Sequence, residues 1–365
     1  MRDSSVRELR ADLQKRGCYE KHTARILFDL SISALMAAGG LVVYLAASGS
    51  VARTCGLIVW TAGSIGIGTN THNSSHYATA KKRWVNELLT YIGYPVYFGL
   101  SATYWWHKHV LVHHSAPNVI GVDGDADLSP WFATTTDEVR LSSGMRRFFY
   151  VHLQRFVFPV AISLTLFSQQ IAGYIHLARS LRSKKRQLAH GVDLAALLAH
   201  VVLTLGIPMF FFSPSNVIAF YVLRNALMSY AMFSVFAPAH FLSEASRLDK
   251  NVAQFDYLLT VTATTLNFRM GRLGRLLCSG LEYQIEHHLL PDISYVHYPA
   301  ISNLVEQFCK SHAFPYRRYR WEFALWRSLS AVSNPCEIVR DASVLHWPVE
   351  VPKALASRGE SSGSS

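Results

Sequence analysis

Apolar positions in this chain fall into long runs separated by short polar and basic stretches, and the runs set out its elements in order. Residues 1–25 are polar and charged, with Leu9 and Leu13 at helical spacing, so a cytosolic surface helix is expected there. No apolar core lies close to the start, and no secretory signal peptide is read. Residues 26–47 supply about the 20 apolar positions that a bilayer crossing needs. Residues 55–70 form a shorter, glycine-rich run that suits a second, closely packed span leading into His72, with Gly49 and Ser50 in the turn between them. Lys81, Lys82 and Arg83 then mark the cytoplasmic side.

Residues 88–106 are aromatic and apolar but broken by Gly93, Pro95 and Gly99, and they end on Trp105 and Trp106; a helix in the interface, or one that re-enters, is predicted. Residues 156–174 are apolar enough to cross. However, Arg146 and Arg147 precede them, while Arg179, Arg182, Lys184, Lys185 and Arg186 follow. Both flanks therefore read as cytoplasmic, and a second interfacial helix is expected. Residues 194–213 and 216–239 form a second hairpin around Ser213-Pro214-Ser215, with Arg224 inside a span, a costly position unless it snorkels or pairs. Residues 26–310 make up one membrane domain. Residues 311–349 form a C-terminal cytosolic cap, whose basic, aromatic stretch 314–329 could close that domain or rest on headgroups. Residues 350–365, ending GESSGSS, read as a flexible tail. The fold class is all-α integral membrane, with four transmembrane helices in two hairpins, interfacial helices and a histidine-rich cytosolic cap.

The formal charge of +11 would suit a nucleic-acid binder, but the basic residues sit in loops flanking apolar runs, which points to a membrane surface and an acidic protein partner. Mean hydropathy of +0.16 leaves a substantial part facing water. The five cysteines show no paired spacing and no CxxC, so neither a disulfide framework nor a zinc knuckle is read.

Histidine changes the picture most. His72 and His76 are four residues apart, on one helical face. His109, His113 and His114 follow; His109 and His113 would share a face while His114 points about 100° round, so that one helix serves two neighbouring metals. His107 breaks this relation and is read as a flanking residue. His287 and His288 repeat the adjacent pair, with Gln284 one turn earlier placed to ligate, hold a metal-bound water or orient a histidine. His240 sits at a span exit on the same side. Eight histidines overfill one tetrahedral ion and suit two, though imidazoles alone fit iron, zinc or copper. His22, His152, His176, His190, His200, His297, His312 and His346 are read as ordinary.

HNSSH, HVLVHH and QIEHH, in that order, resemble the three histidine boxes of the membrane fatty acid desaturase superfamily, and the glutamine opening the third box resembles the front-end (Δ5/Δ6-like) branch. The similarity runs over residues 55–305 and includes WWHKH, the N-x-x-G-x-D spacing of Asn118, Gly121 and Asp123, and HYPAI. The resemblance implies four spans beneath a cytosolic di-iron cap, with His72, His76, His109, His113, His114, His240, His287 and His288 as iron ligands and Gln284, Asn73, His107 and Asp123 as supporting residues. It also implies O2 as co-substrate and a fatty acyl lipid or acyl thioester as substrate. Two features depart from the pattern. No HPGG haem motif of a fused cytochrome b5 domain occurs, so ferredoxin or a separate cytochrome b5 with its reductase is the expected donor. Asn73 stands where aspartate is frequent, with consequences expected for a bond to His72 or His76. A related hydroxylase or sphingolipid or terpenoid oxygenase is the alternative within this chemistry, and a zinc-bearing receptor or transporter the alternative outside it.

Overall fold

The first hairpin shows how the sequence builds a membrane scaffold. Its helices, Thr23–Ala46 and Ser50–Ser75, approach so closely that glycine is required at the contact. In this computed structural model, which describes residues 2–184, 187–253 and 257–345, a Cβ added at Gly56 would lie 2.7 Å from the Tyr44 amide nitrogen, and one at Gly40 or Gly63 would run into the facing backbone of Trp60 or Ala37. Small residues allow such backbone approach where lipid supplies no hydrophobic drive between helices. The second helix extends past the expected end at residue 70 because its last, polar turn is buried rather than solvated. Asn70 Nδ2 donates to the Ile26 carbonyl at 3.1 Å, and Thr69 Oγ1 donates to the Leu277 carbonyl at 2.6 Å. That buried turn carries His72.

Five helices among the described residues are long and apolar enough to cross a membrane: Thr23–Ala46, Ser50–Ser75, Gly144–Arg182, Leu188–Phe210 and Pro214–His240. The expected interfacial stretch 156–174 is thus the middle of a 39-residue helix. Phe28, Leu35, Ile58, Leu198 and Phe210 lie exposed on these helices, an apolar exterior that suits lipid rather than water.

The glycine- and proline-broken stretch folds into a helical hairpin. Arg83–Tyr91 continues into Ile92–Phe98; the chain reverses at Gly99, whose φ of +68° favours glycine, and Ala102–Trp105 continues into Trp106–His113. Buried Asp193 of the second hairpin caps the returning helix: its carboxylate accepts from Ser101 Oγ at 2.7 Å, Ala102 N at 3.0 Å and Thr103 N at 2.9 Å. Arg224 is buried and does not snorkel. It donates to the Tyr97 carbonyl beside this turn and to Asn225 Oδ1 at 3.2 Å.

The histidine-bearing end is a packed layer around Leu13, Leu248, Ile285, Leu289, Tyr298 and Phe314, so the N-terminal helix Arg2–Lys15, the third histidine box and the C-terminal segment share one core. Two short parallel strand pairs, unforeseen in the sequence, pin it: Arg247–Leu248 with Ile338–Val339, and Asn267–Arg269 with Arg318–Arg320. The helix Trp321–Leu329 follows, and its Trp321 indole donates to the Ser234 carbonyl at 2.8 Å. Residues 346–365, including His346 and the expected tail, lie outside the described residues, as do Lys185 and Arg186.

The glycine contact has a direct test. Gly63→Val is expected to destabilise the chain by about 1–3 kcal/mol, as overpacking does, and to lower the midpoint of thermal unfolding in detergent, whereas Val at Gly39, which meets nothing within 4 Å, leaves it unchanged.

Candidate metal centre

Four separate segments deliver histidines to one buried place. His72 rides on the last turn of Ser50–Ser75, and His76 caps that helix. The second box lies on a helical stretch wound wider than an α-helix: the His114 amide donates five residues back, to the His109 carbonyl, at 3.1 Å. Such π-type turns recur at functional sites. His240 is the last residue of Pro214–His240. His287 and His288 lie on the short helix Gln284–Leu289.

The rings form two adjoining groups. His72, His76, His109, His114 and His287 make the first, and His113, His240 and His288 the second; within each, the available ligand atoms lie within 4.8 Å of one another. The His114 and His288 rings stack at 4.3 Å where the groups meet. The wide turn corrects the division expected from an α-helix. It places His109 with His114, Nε2 to Nε2 3.2 Å, in the first group and sends His113 to the second.

Several neighbours hold these rings. Asp123 Oδ2 lies 2.9 Å from His113 Nδ1 and accepts from the Asn118 amide at 2.9 Å. Burial alone would raise the Asp123 pKa, but the His113 charge and these hydrogen bonds hold its carboxyl well below the usual range. His113 behaves reciprocally: burial pushes its pKa down, and Asp123 pulls it above the ordinary value. Gln284 is buried on the third-box helix, one turn before His287 and His288. Asn118 Nδ2 donates to the His240 carbonyl at 2.8 Å, which fixes the span exit. Glu286 turns away from the rings; its carboxylate accepts from Tyr316 Oη at 2.6 Å and Asn267 Nδ2 at 2.8 Å, anchoring the third-box helix. Glu286, Asn267, Tyr316 and Asp193 were not singled out in the sequence, although a glutamate inside the apolar run QIEHHLL is a visible signal of a buried, paired acid.

Two supporting residues stand elsewhere. His107 is exposed and stacks on His176 at 5.5 Å between centroids. The Asn73 side chain makes no bond to His72 or His76; its Nδ2 donates to the Thr69 carbonyl at 3.1 Å and the Ser279 carbonyl at 2.9 Å. The span histidine His200 is hydrogen-bonded to the Val96 carbonyl at 2.9 Å and to Tyr221 at 3.0 Å.

The donor set fits metal ions. Burial pushes the His76 pKa down to about 3 and holds His109, His114, His287 and His288 well below the ordinary value, so these rings are neutral, the form that ligates. Nitrogens 2.0–2.1 Å from one ion stand about 3 Å apart, and the Nε2 pairs His72–His109, His114–His287 and His109–His114 are 2.7, 3.1 and 3.2 Å apart. His76 Nε2, His240 Nδ1 and both His288 nitrogens are buried without a partner, an expensive condition that a cation relieves at the nitrogen it takes. Beside the first group, a narrow apolar cleft is lined by Ile65, Phe98, Leu100, Leu166, Trp105 and Phe236. The Phe236 and Trp105 rings lie 5.7 and 5.9 Å from that of His72.

A membrane-embedded helical scaffold with a buried histidine cluster beside an apolar cleft defines the class of protein. The fatty acid desaturase family pattern matches residues 22–320, and the chain belongs to that family. It is 28% identical over 273 residues, 73% of its own length, to the Delta(5) fatty acid desaturase fat-4 of Caenorhabditis elegans, of which this covers 60%. It is 26% identical to Delta(8)-fatty-acid desaturase 2 of Arabidopsis thaliana over 92% of this chain and 76% of that protein. To the sn-1 linoleoyl-lipid 6-desaturase of Synechocystis it is 24% identical, over 68% of this chain and 70% of that one. The chain thus spans about 60% of the length of the nematode relative.

Asn73 generates a test that needs no metal. Asn73→Asp puts an acceptor against the Thr69 and Ser279 carbonyls, and a loss of about 1–3 kcal/mol is expected, read as a lower thermal unfolding midpoint.

Proposed function

We propose that this chain is an O2-dependent fatty acyl desaturase whose eight clustered histidines hold two irons. His72, His76, His109, His114 and His287 take one ion, and His113, His240 and His288 take the other. The observation that carries the reading is the convergence of these buried rings, several with orphaned nitrogens, beside an apolar cleft. Family membership supports iron over zinc or copper, between which imidazoles do not choose.

When bound, the irons supply O2 activation. In the overall reaction two hydrogens leave adjacent methylenes as a carbon–carbon double bond forms, and O2 is reduced to two waters with two electrons and two protons from outside. The chain's residues do the positioning. Asp123 orients His113. Phe98 and Leu100, on either side of the Gly99 turn, line the cleft and set how far an acyl chain enters, which selects the methylenes that are presented. No protein nucleophile is needed.

The histidine side faces the cytoplasm in this reading, consistent with Lys81, Lys82 and Arg83 beside the first box. Four helices cross, and Gly144–Arg182 lies in the interface. In support, both of its ends meet segments on the histidine side: Tyr150 Oη donates to the Pro130 carbonyl at 2.7 Å, and the His176 ring stacks on His107. The substrate is a fatty acyl chain on a membrane lipid or thioester. The QIEHH box and the named positions of the relatives support insertion on the carboxyl side of the chain. An acidic carrier, ferredoxin or cytochrome b5, delivers electrons to the basic cytosolic face.

Lipid analysis of a host that expresses the chain with a compatible donor tests the proposal. New unsaturated chains are expected from the wild type and none from the His287→Ala, His288→Ala double variant. Oxygenated chains, or an unchanged profile with folded protein and donor present, would overturn it.

A further inference from the structure

Arg247 is fully buried, yet among the described residues no carboxylate lies within ion-pair distance of it. One terminal nitrogen donates to the His240 carbonyl at 2.6 Å and to the Ala245 carbonyl at 3.3 Å, and the guanidinium lies 5.4 Å from the centre of the Phe241 ring. Its Nε has no acceptor. Asp123, Glu138 and Asp127 act on it only through space. Each is already engaged: Asp123 with His113, Glu138 with the Thr134 and Thr135 amides, and Asp127 with the Gly121 and Ser129 amides.

Arg247 opens on a cleft with about 300 Å³ of empty space, also lined by Thr134, Ser243, Arg327, Ser330 and Asn334. One carboxylate, Glu244, stands at its edge, paired with Arg327 at 3.2 Å. Thr134 Oγ1 is likewise buried with no partner, so two unsatisfied polar atoms belong to the same cavity. Arg327 and Ser243 also hold the Glu244 carboxylate, at 3.2 and 3.0 Å, so the free donors the cleft offers a phosphate are those of Arg247 and Thr134, with Arg327 adding its charge. The helix that supplies Arg327 is tied by Trp321 to Ser234, near the end of Pro214–His240, and exposes Phe323 and Trp326. That places the cleft at the level where the bilayer ends, with aromatic side chains suited to the interface.

We propose that this cleft binds a phosphate ester, as carried by the headgroup of a membrane phospholipid. Because Arg247 also holds the His240 carbonyl, the bound headgroup sits one residue's hydrogen bond away from the second histidine group. Binding here requires neither metal nor desaturation, so its failure would leave the proposed activity standing.

The test is calorimetric titration of the full chain in neutral detergent with dihexanoyl phosphatidylglycerol, a short-chain galactolipid without phosphate, and inorganic phosphate. Arg247 itself is left intact because it supports the span exit, and Thr134→Val and Arg327→Gln are compared with the wild type. Phosphatidylglycerol is expected to bind and the galactolipid not to bind. Each variant is expected to weaken binding about tenfold, the worth of one charge-assisted hydrogen bond. Thr134→Val should not lower the unfolding midpoint, since the hydroxyl it removes has no partner. Inorganic phosphate competing at equal affinity would support the anion site and assign it to the free ion. Equal binding of the galactolipid, no binding of either phosphate, or binding unaffected by both variants would overturn the proposal.

Discussion

A neutral imidazole offers one donor and one acceptor, and a dry pocket filled with such rings cannot pair them all. The nitrogens left over have lost water and gained nothing, at a cost comparable to a broken hydrogen bond each. In this chain the leftovers are concentrated in the two histidine groups. Such an arrangement is sustainable when cations take the lone pairs, and the rest of the fold serves to hold those lone pairs at ligand spacing. Burial supplies the neutrality, since His76, His109, His114, His287 and His288 are all pushed far from the protonated form.

The supports are polar and lie just outside the rings. Asp123 fixes His113, and Asn118 and Arg247 hold the carbonyl at the end of the span that carries His240. The third box is held by Glu286 through Tyr316 and Asn267, so the C-terminal segment reaches the metal centre through one buried carboxylate. Below, the glycine-mediated hairpin brings His72 to its place, and Asp193 caps the helix that leads to the second box. The apolar helices and the histidine-bearing cap are therefore one mechanical unit.

Much of this was legible in the sequence because hydropathy and histidine spacing are local signals. The first hairpin, the break in the helix at Gly99 and the eight histidines that cluster could be read directly. What escaped depends on backbone winding or on distant partners. An α-helical reading of HVLVHH pairs His109 with His113, and only the wider turn joins His109 to His114. Asn73 looks like a neighbour of its histidines but faces Ser279, more than 200 positions away, which no periodicity reveals. The helix through residues 156–174 proved longer than its apolar stretch because the polar residues at both ends continue the same helical winding. The short parallel strands involve too few residues to leave any alternation pattern.

The division of the histidines into five and three is the centre of this account, and metal content tests it most directly. Protein purified anaerobically after growth with iron should carry two irons per chain. A His240→Ala, His288→Ala variant, which strips the smaller group and leaves the larger intact, should carry one. A single zinc in both proteins, or the loss of all metal from the variant while it remains folded, would contradict the account.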